Sequence, residues 1–294
     1  MKKDQAEIFY TNVSSAKEAI LSRGHFFGEV FFTSFKSWEG KIPFEGDHFQ
    51  RIEDHCLFLQ GRKAWEVEAV VERLDLLLQG QILLQQILNK NPNSYIRFMQ
   101  WGNFPPGSYG LLPRSSHLSW AIWARALTPE QRFLQSLSMV ELQLNPIVFP
   151  SFRLKLANYT PSIALMSDWE IKFQDTLDIL YFHPQNQLVL ESSTGNVFAF
   201  IKDRWVTPQY DVQNSPLLEG VMRKNLLKFM RNKRIGVEVR DLTVKELLQA
   251  EEIFLCNGVR GIIGVRSLHF ANKKFHKPLG RTKEFFQVLR GVVR

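Results

Sequence analysis

The chain has 294 residues, 45% hydrophobic and 13% aromatic, with a formal net charge of +8. That apolar content supports a substantial core and excludes a disordered chain. No apolar run reaches the roughly 18 residues of a membrane span, and the charged start Met1-Lys2-Lys3-Asp4-Gln5 leads into no apolar signal core. The two cysteines, Cys56 and Cys256, suit neither a disulfide framework nor a zinc site, so the expected setting is the reducing cytoplasm.

Periodicity and punctuation predict the elements in order. Gly28 to Ser37 (GEVFFTSFKS) and Lys41 to Phe44 predict a β-hairpin turning at Glu39-Gly40. Asp47 is the expected N-cap of a helix in which Phe49, Ile52 and Cys56 recur at spacings of three and four. A longer helical pattern runs from Ala64 to Leu88, and Gly80 is expected to interrupt it. Strands follow at Tyr95 to Gln100 and Leu118 to Ala126, joined by a Pro- and Gly-rich loop from Asn103 to Gly110. Leu127-Thr128-Pro129 reads as a linker, which predicts a smaller N-terminal domain over 1–127 and a larger C-terminal one over 128–294.

In the second half, strands are expected at Val140–Leu144, Thr176–Phe182 and Gln187–Glu191, with a helix at Tyr159–Lys172. Val197–Lys202 and Arg204–Val206 read as a hairpin around Asp203. A helix over Pro216–Arg231, a strand at Gly236–Arg240, a helix at Val244–Ala250, strands at Ile253–Cys256 and Ile262–Leu268, and a helix at Arg281–Leu289 complete the chain. Strands mixed with helices in both halves predict a two-domain α+β or α/β protein.

The charge is uneven. From Gly220 to Arg294 there are 17 Lys and Arg against 6 Asp and Glu, while the other 219 residues carry 20 against 23. A basic C-terminal quarter suits nucleic acid, a phosphorylated cofactor or an anionic substrate, and equally a solvated surface. No phosphate loop, dinucleotide fingerprint or metalloprotease helix is present. His48 and His55, seven apart, make no metal-ligand set, and no metal is expected.

Four segments carry chemistry-bearing residues. Arg153-Leu154-Lys155-Leu156-Ala157-Asn158-Tyr159 holds a lysine in an apolar run, which is costly unless the amine snorkels or is used. Glu191-Ser192-Ser193-Thr194-Gly195-Asn196 places a carboxylate at the end of an apolar strand. Thr207-Pro208 leads to Gly220-Val221-Met222-Arg223 at a helical start, and Cys256-Asn257-Gly258-Val259-Arg260-Gly261-Ile262 is a Gly-rich turn between strands. Taken singly, each has an ordinary structural reading.

Taken in order, they resemble the class IV aminotransferases, the fold-type IV pyridoxal-phosphate enzymes, whose members include branched-chain and D-amino-acid aminotransferases and 4-amino-4-deoxychorismate lyase. Arg23 to Thr33 (RGHFFGEVFFT) is similar to the family's early strand motif, and His48-Phe49-Gln50-Arg51-Ile52 to its His-x-x-Arg-Leu helix. The resemblance spans Arg23 to Val265. It departs from the family at Ser22, where relatives carry Asp, and at Val30, Gly258 and Gly264, where Gly, Ser or Thr, and Pro are usual.

The resemblance implies pyridoxal 5'-phosphate as cofactor, carried by Lys155, whose desolvated amine is the nucleophile and then the base. It implies Glu191 as partner of the pyridinium nitrogen, and Tyr159 near the cofactor's phenolic oxygen. For the phosphate it implies Arg51, the helix-start amides of Val221 and Met222, and the loop of Asn257 and Gly258. The basic run Arg223 to Arg234 reads as the exposed face of the following helix. FGEVFFT, the Asn257-to-Ile262 segment and the lack of a double glycine after Lys155 favour the lyase, which forms p-aminobenzoate and pyruvate. Arg260 is then the expected partner of a small anionic amino substrate. A class IV transaminase acting on branched-chain or D-amino acids is the alternative, and a nucleic-acid-binding or interaction protein on a decayed scaffold the third reading. The family further implies a homodimer, free of membrane and nucleic acid.

Overall fold

Strands in which apolar and polar residues alternate build the first sheet, because successive side chains point to opposite faces. In the computed structural model, which describes residues 7–103, 117–132, 134–146, 154–173, 177–209 and 217–293, the chain divides into two compact units. One comprises Met1–Phe133 with Leu154–Asn158, the other Leu134–Arg153 with Tyr159–Arg294.

The first unit runs β1 (Glu7–Thr11), α1 (Ala16–Ile20), α2 (Arg23–Phe27), β2 (Val30–Lys36), α3 (Glu45–Gln60), α4 (Val67–Lys90), β3 (Ser94–Gly102) and β4 (Leu118–Ala126). The strands form an antiparallel sheet in the order β1-β4-β3-β2. Strict alternation along β3 buries Ile96, Phe98 and Gln100, and Phe31 and Phe35 of β2 are buried beside Ile52, Cys56 and Leu59 of α3.

Four local expectations are corrected here. Glu39 and Gly40, both at positive φ, do make a tight turn between Trp38 and Lys41, but no second arm follows. β2 pairs instead with β3, from Val30 opposite Trp101 to Lys36 opposite Tyr95, because Pro43 and a left-handed Phe44 turn the chain into a helix. That helix starts at Glu45 with Phe44 as N-cap, so Asp47 sits inside it. Gly80 does not interrupt α4: a Cβ there would come within 2.9 Å of Phe98 Cε2, so the glycine lets the helix lie close on the sheet. Arg23 to Phe27, read as strand, is helix α2 capped by the Ser22 side chain and ended by left-handed Gly28.

The second unit runs β5 (Ser138–Pro146), α5 (Thr160–Phe173), β6 (Leu177–Phe182), β7 (Val189–Ser192), β8 (Asn196–Ile201), β9 (Arg204–Thr207), α6 (Val221–Asn232), β10 (Val237–Val239), α7 (Val244–Gln249), β11 (Glu252–Asn257), β12 (Gly261–Phe270), β13 (Lys273–His276) and α8 (Gly280–Val293). A nine-stranded sheet follows the order β10-β9-β8-β11-β12-β5-β6-β7, with β13 on β12. β5 pairs in parallel with β12 and β6, and β9 with β10. Its continuous apolar strands fit burial of one large core, from Val140, Leu142 and Leu144 to Leu255, Ile263 and Val265. The β8–β9 hairpin turns at Lys202 and Asp203, both at positive φ.

β1, α1 and β13 are short elements the sequence reading left out. Asn103 is described and bridges Ser22, whereas the rest of the predicted 104–110 loop, with Arg153, Thr176 and Pro216, lies outside the described residues. Among the described residues no helix is long and apolar enough to cross a membrane.

Candidate active site

In the first unit Lys155 lies on a short extended segment that adds to the edge of β2. Phe32 N donates to Lys155 O at 2.9 Å, Ala157 N donates to Val30 O at 2.7 Å, and Phe31 bridges Leu156. In this antiparallel register Leu156 shares a face with Phe31 and Lys155 with Phe32. Lys155 Nζ accordingly stands 4.9 Å from the Phe32 ring centroid. Arg97 of β3 approaches the same centroid to 4.0 Å, and its buried Nε has no hydrogen-bond partner among the described residues. Sequence reasoning missed Arg97; its one signal was a cation on a half-buried strand.

Arg51 lies on α3, one turn beyond His48 and one turn before His55. His48 Nδ1 is 2.7 Å from Thr33 Oγ1, and its ring packs 4.6 Å from that of Phe35. His55 Nδ1 is 3.1 Å from Gln100 Oε1. The Gln100 amide nitrogen donates to Ile52 O and Cys56 Sγ, so its oxygen is left to accept and His55 carries its proton on Nδ1. Burial, reinforced by Arg51, lowers both imidazoles to about 3, and Lys155 adds to the effect on His55. Both rings are therefore neutral beside a permanent cation. Among the described residues no group of three or more His, Cys, Asp or Glu is placed to hold a metal.

The second unit contains Glu191, Val221, Met222, Asn257, Gly258, Arg260 and Tyr159. Tyr159 stands just before α5, and its carbonyl accepts from Ile163 N at 2.8 Å. Glu191, half-buried on β7, accepts from Asn196 Nδ2 at 2.9 Å and from Leu218 N at 3.2 Å. Asn196 Nδ2 also donates to Leu218 O at 3.0 Å, so one amide ties the strand end to the segment entering α6.

Val221 and Met222 open α6, a twelve-residue helix whose N-cap Gly220 provides no side-chain cap and whose first turn holds no acid. The leading N–H groups of such a turn have no acceptor within the helix, which leaves donors suited to an anion. Gly220 is required by space: a Cβ there would stand 2.0 Å from Asn196 Oδ1. Arg223 corrects the expectation of an exposed basic run. It is buried and donates to Thr207 Oγ1 and Pro208 O, bracing β9 against the first turn of α6, whereas Lys228 and Arg231 are exposed.

Asn257 ends β11 and Gly258 follows it in the turn to β12. Asn257 Oδ1 accepts from Val259 N and Arg260 N, and its Nδ2 donates to Thr194 O. Arg260 Nη2 donates to Thr194 Oγ1 at 3.2 Å. Gly195 presses this turn onto the next strand, since a Cβ there would lie 2.6 Å from Cys256 O.

Comparison with known proteins adds a separate finding. The sequence profile of the family described as amino-transferase class IV matches residues 30–268. The aminodeoxychorismate lyase of Vibrio harveyi is 30% identical over 113 residues, 38% of this chain and 40% of that protein, so the matched stretch spans two fifths of the relative's length. Among solved structures, a 4-amino-4-deoxychorismate lyase from Legionella pneumophila, itself described as putative, superimposes with a TM-score of 0.75 at 20% identity, covering 96% of this chain and 97% of the other. An aminotransferase from Brucella abortus bound to the cofactor PLP gives a TM-score of 0.73 at 18% identity, covering 97% and 98%.

Proposed function

Because the chain belongs to the class IV aminotransferase family, a family of pyridoxal-phosphate-dependent enzymes, we propose that it is a 4-amino-4-deoxychorismate lyase releasing p-aminobenzoate and pyruvate. The observation that carries this reading is the Asn257–Arg260 turn, which anchors a guanidinium beside the Glu191 turn and resembles the lyase-type segment except at Gly258. The likeness to aminodeoxychorismate lyases in sequence and fold supports it. The reading carries with it a homodimer working in the cytoplasm.

The residues present fit the cofactor. The uncapped first turn of α6, with Gly220 pressed against Asn196, offers Val221 and Met222 N–H groups to a phosphate, and the family resemblance assigns Asn257, Gly258 and Arg51 as its further donors. Glu191, aligned by Asn196 and Leu218, holds the proton of a pyridine nitrogen. Pyridoxal phosphate, when bound, supplies an electron sink for the charge that develops at the substrate's amine-bearing carbon. Lys155 supplies the attaching amine, then takes the proton from that carbon. Tyr159 orients the phenolic oxygen. In the second unit Arg260 is the cation for a substrate carboxylate; in the first, Arg97, whose buried Nε has no hydrogen-bond partner among the described residues, is a further cation.

The test is to incubate cofactor-loaded protein with 4-amino-4-deoxychorismate and follow p-aminobenzoate and pyruvate together. Equal formation of both, lost in Lys155→Ala, supports the lyase. Absence of both, with keto acid formed from branched-chain or D-amino acids, replaces it with transamination.

A further inference from the structure

A buried carboxylate outside the catalytic set organises the turn that carries Arg260. Asp178 lies near the start of an otherwise apolar strand, β6, and is 2% exposed. A charge so buried needs donors, and two hydroxyls and a backbone amide supply them. Ser193 Oγ donates to Asp178 Oδ1 at 2.5 Å, Thr194 Oγ1 to Oδ2 at 2.6 Å and Ile179 N to Oδ1 at 2.8 Å, whereas Ser192 Oγ, 3.3 Å from Oδ2, gives its single proton to Gly195 O at 3.0 Å.

The direction of the Thr194 bond is set by chemistry. An ionised carboxylate only accepts, so the single hydroxyl proton of Thr194 points to Asp178. Its lone pairs are left for Arg260 Nη2, 3.2 Å away. Glu191, three residues before Thr194, has separate supports in Asn196 and Leu218. The hydroxyl of Thr194 is therefore coupled to Arg260 and not to the group assigned to the cofactor ring.

We infer that Asp178 and Thr194 are positioning residues that hold Arg260 ready for a carboxylate, and that this side of the site selects amino substrates bearing a second carboxylate. The inference rests on the reading of Arg260 as a substrate-facing cation. A purely structural cluster would have no need of a relay polarised from a buried anion to a guanidinium. Charge-assisted hydrogen bonds carry enough energy for the relay to affect substrate binding.

The test is a double-mutant cycle on the holoenzyme, with Thr194→Val, Thr194→Ser, Arg260→Gln and the Thr194→Val/Arg260→Gln pair. With 4-amino-4-deoxychorismate, Thr194→Val is expected to raise KM about tenfold and leave kcat within about twofold. Thr194→Ser, which keeps the hydroxyl, restores KM. In the Arg260→Gln background the valine adds nothing. Asp178→Asn, which turns one acceptor into a donor, acts in the same direction as Thr194→Val. Independent, multiplying effects of the two substitutions overturn the inference, as does loss of kcat together with bound cofactor. If the wild-type holoenzyme forms no p-aminobenzoate, the lyase reading fails by itself. The cycle is then read as the dissociation constant of isophthalate, an unreactive dicarboxylate, from its perturbation of the bound cofactor's absorbance. Coupled losses support the relay there; additive losses, or no binding to wild type, overturn it.

Discussion

Asn196 and Glu191, five residues apart across one tight turn, are joined by a 2.9 Å hydrogen bond from the amide Nδ2 to the carboxylate Oε2. The same amide holds Leu218 O, and Leu218 N returns to the other oxygen of Glu191. Strand end, turn and helix entry are thus one hydrogen-bonded ring.

Asn196→Ala opens that ring and is expected to weaken pyridoxal phosphate binding about tenfold. Asn196→Asp, which sets a second carboxylate against Glu191, weakens it further. Gly220→Ala is allowed by its φ of −66° but collides with Asn196 Oδ1. The variant is expected to release cofactor on dialysis. Absorbance titration with the cofactor checks all three.

Lys155→Ala is expected to keep the fold and lose the covalent link. Borohydride reduction followed by mass analysis decides it. A cofactor mass retained on the reduced variant would reassign the lysine.

His48 and His55 stay neutral in the native chain down to about pH 3, against an ordinary value of 6.5, first because they are buried and second because Arg51 is beside them. Their native values are depressed, so the unfolded chain binds more protons below pH 6.5. Stability from this source is full above that pH and falls as pH drops toward 3. The expected slope is roughly 1.4 kcal/mol per pH unit for each ring. Urea unfolding at pH 7, 6 and 5 measures it, and His55→Gln should remove one ring's share.

Burial also pushes both thiols, Cys56 and Cys256, up to about 12. Neither should react with iodoacetamide at pH 8 in the native protein, and both should react once urea unfolds it. Labelling before unfolding would show that one of them opens to solvent.

Gly80→Ala tests the close approach of α4 to the sheet. Alanine gains about 1 kcal/mol of helix propensity, but its Cβ meets the Phe98 ring at 2.9 Å. Overpacking costs about 1–3 kcal/mol, so the expected outcome is a lower Tm. Restoration in Gly80→Ala/Phe98→Leu would confirm the cause.

Where local signals and packing agreed, the elements could be read from the sequence. The β8–β9 hairpin at Lys202-Asp203 and strand β4 over Leu118–Ala126 are examples. Gly80 and Asp47 misled because propensity says nothing about a neighbouring Phe98 or a left-handed Phe44. β2 and β3, joined across α3 and α4, were both read as strands, but β2 was given the nearby Lys41–Phe44 as partner, since partners so far apart leave no local trace. At the site, Lys155 and Glu191 stood out through motif order. Thr194 and Arg223 did not, because a threonine in a turn and an arginine in a basic run look ordinary until their bonds to Arg260 and Thr207 are seen.

The lysine segment has a consequence for how the gene can be cut. Leu154–Asn158 belongs with Met1–Phe133, yet it is flanked in sequence by residues of the other unit. A fragment ending at residues 127–129 would lack both this lysine and the backbone that pairs with Val30 and Phe32, so a gene cut there would strip the edge of β2 of its partner.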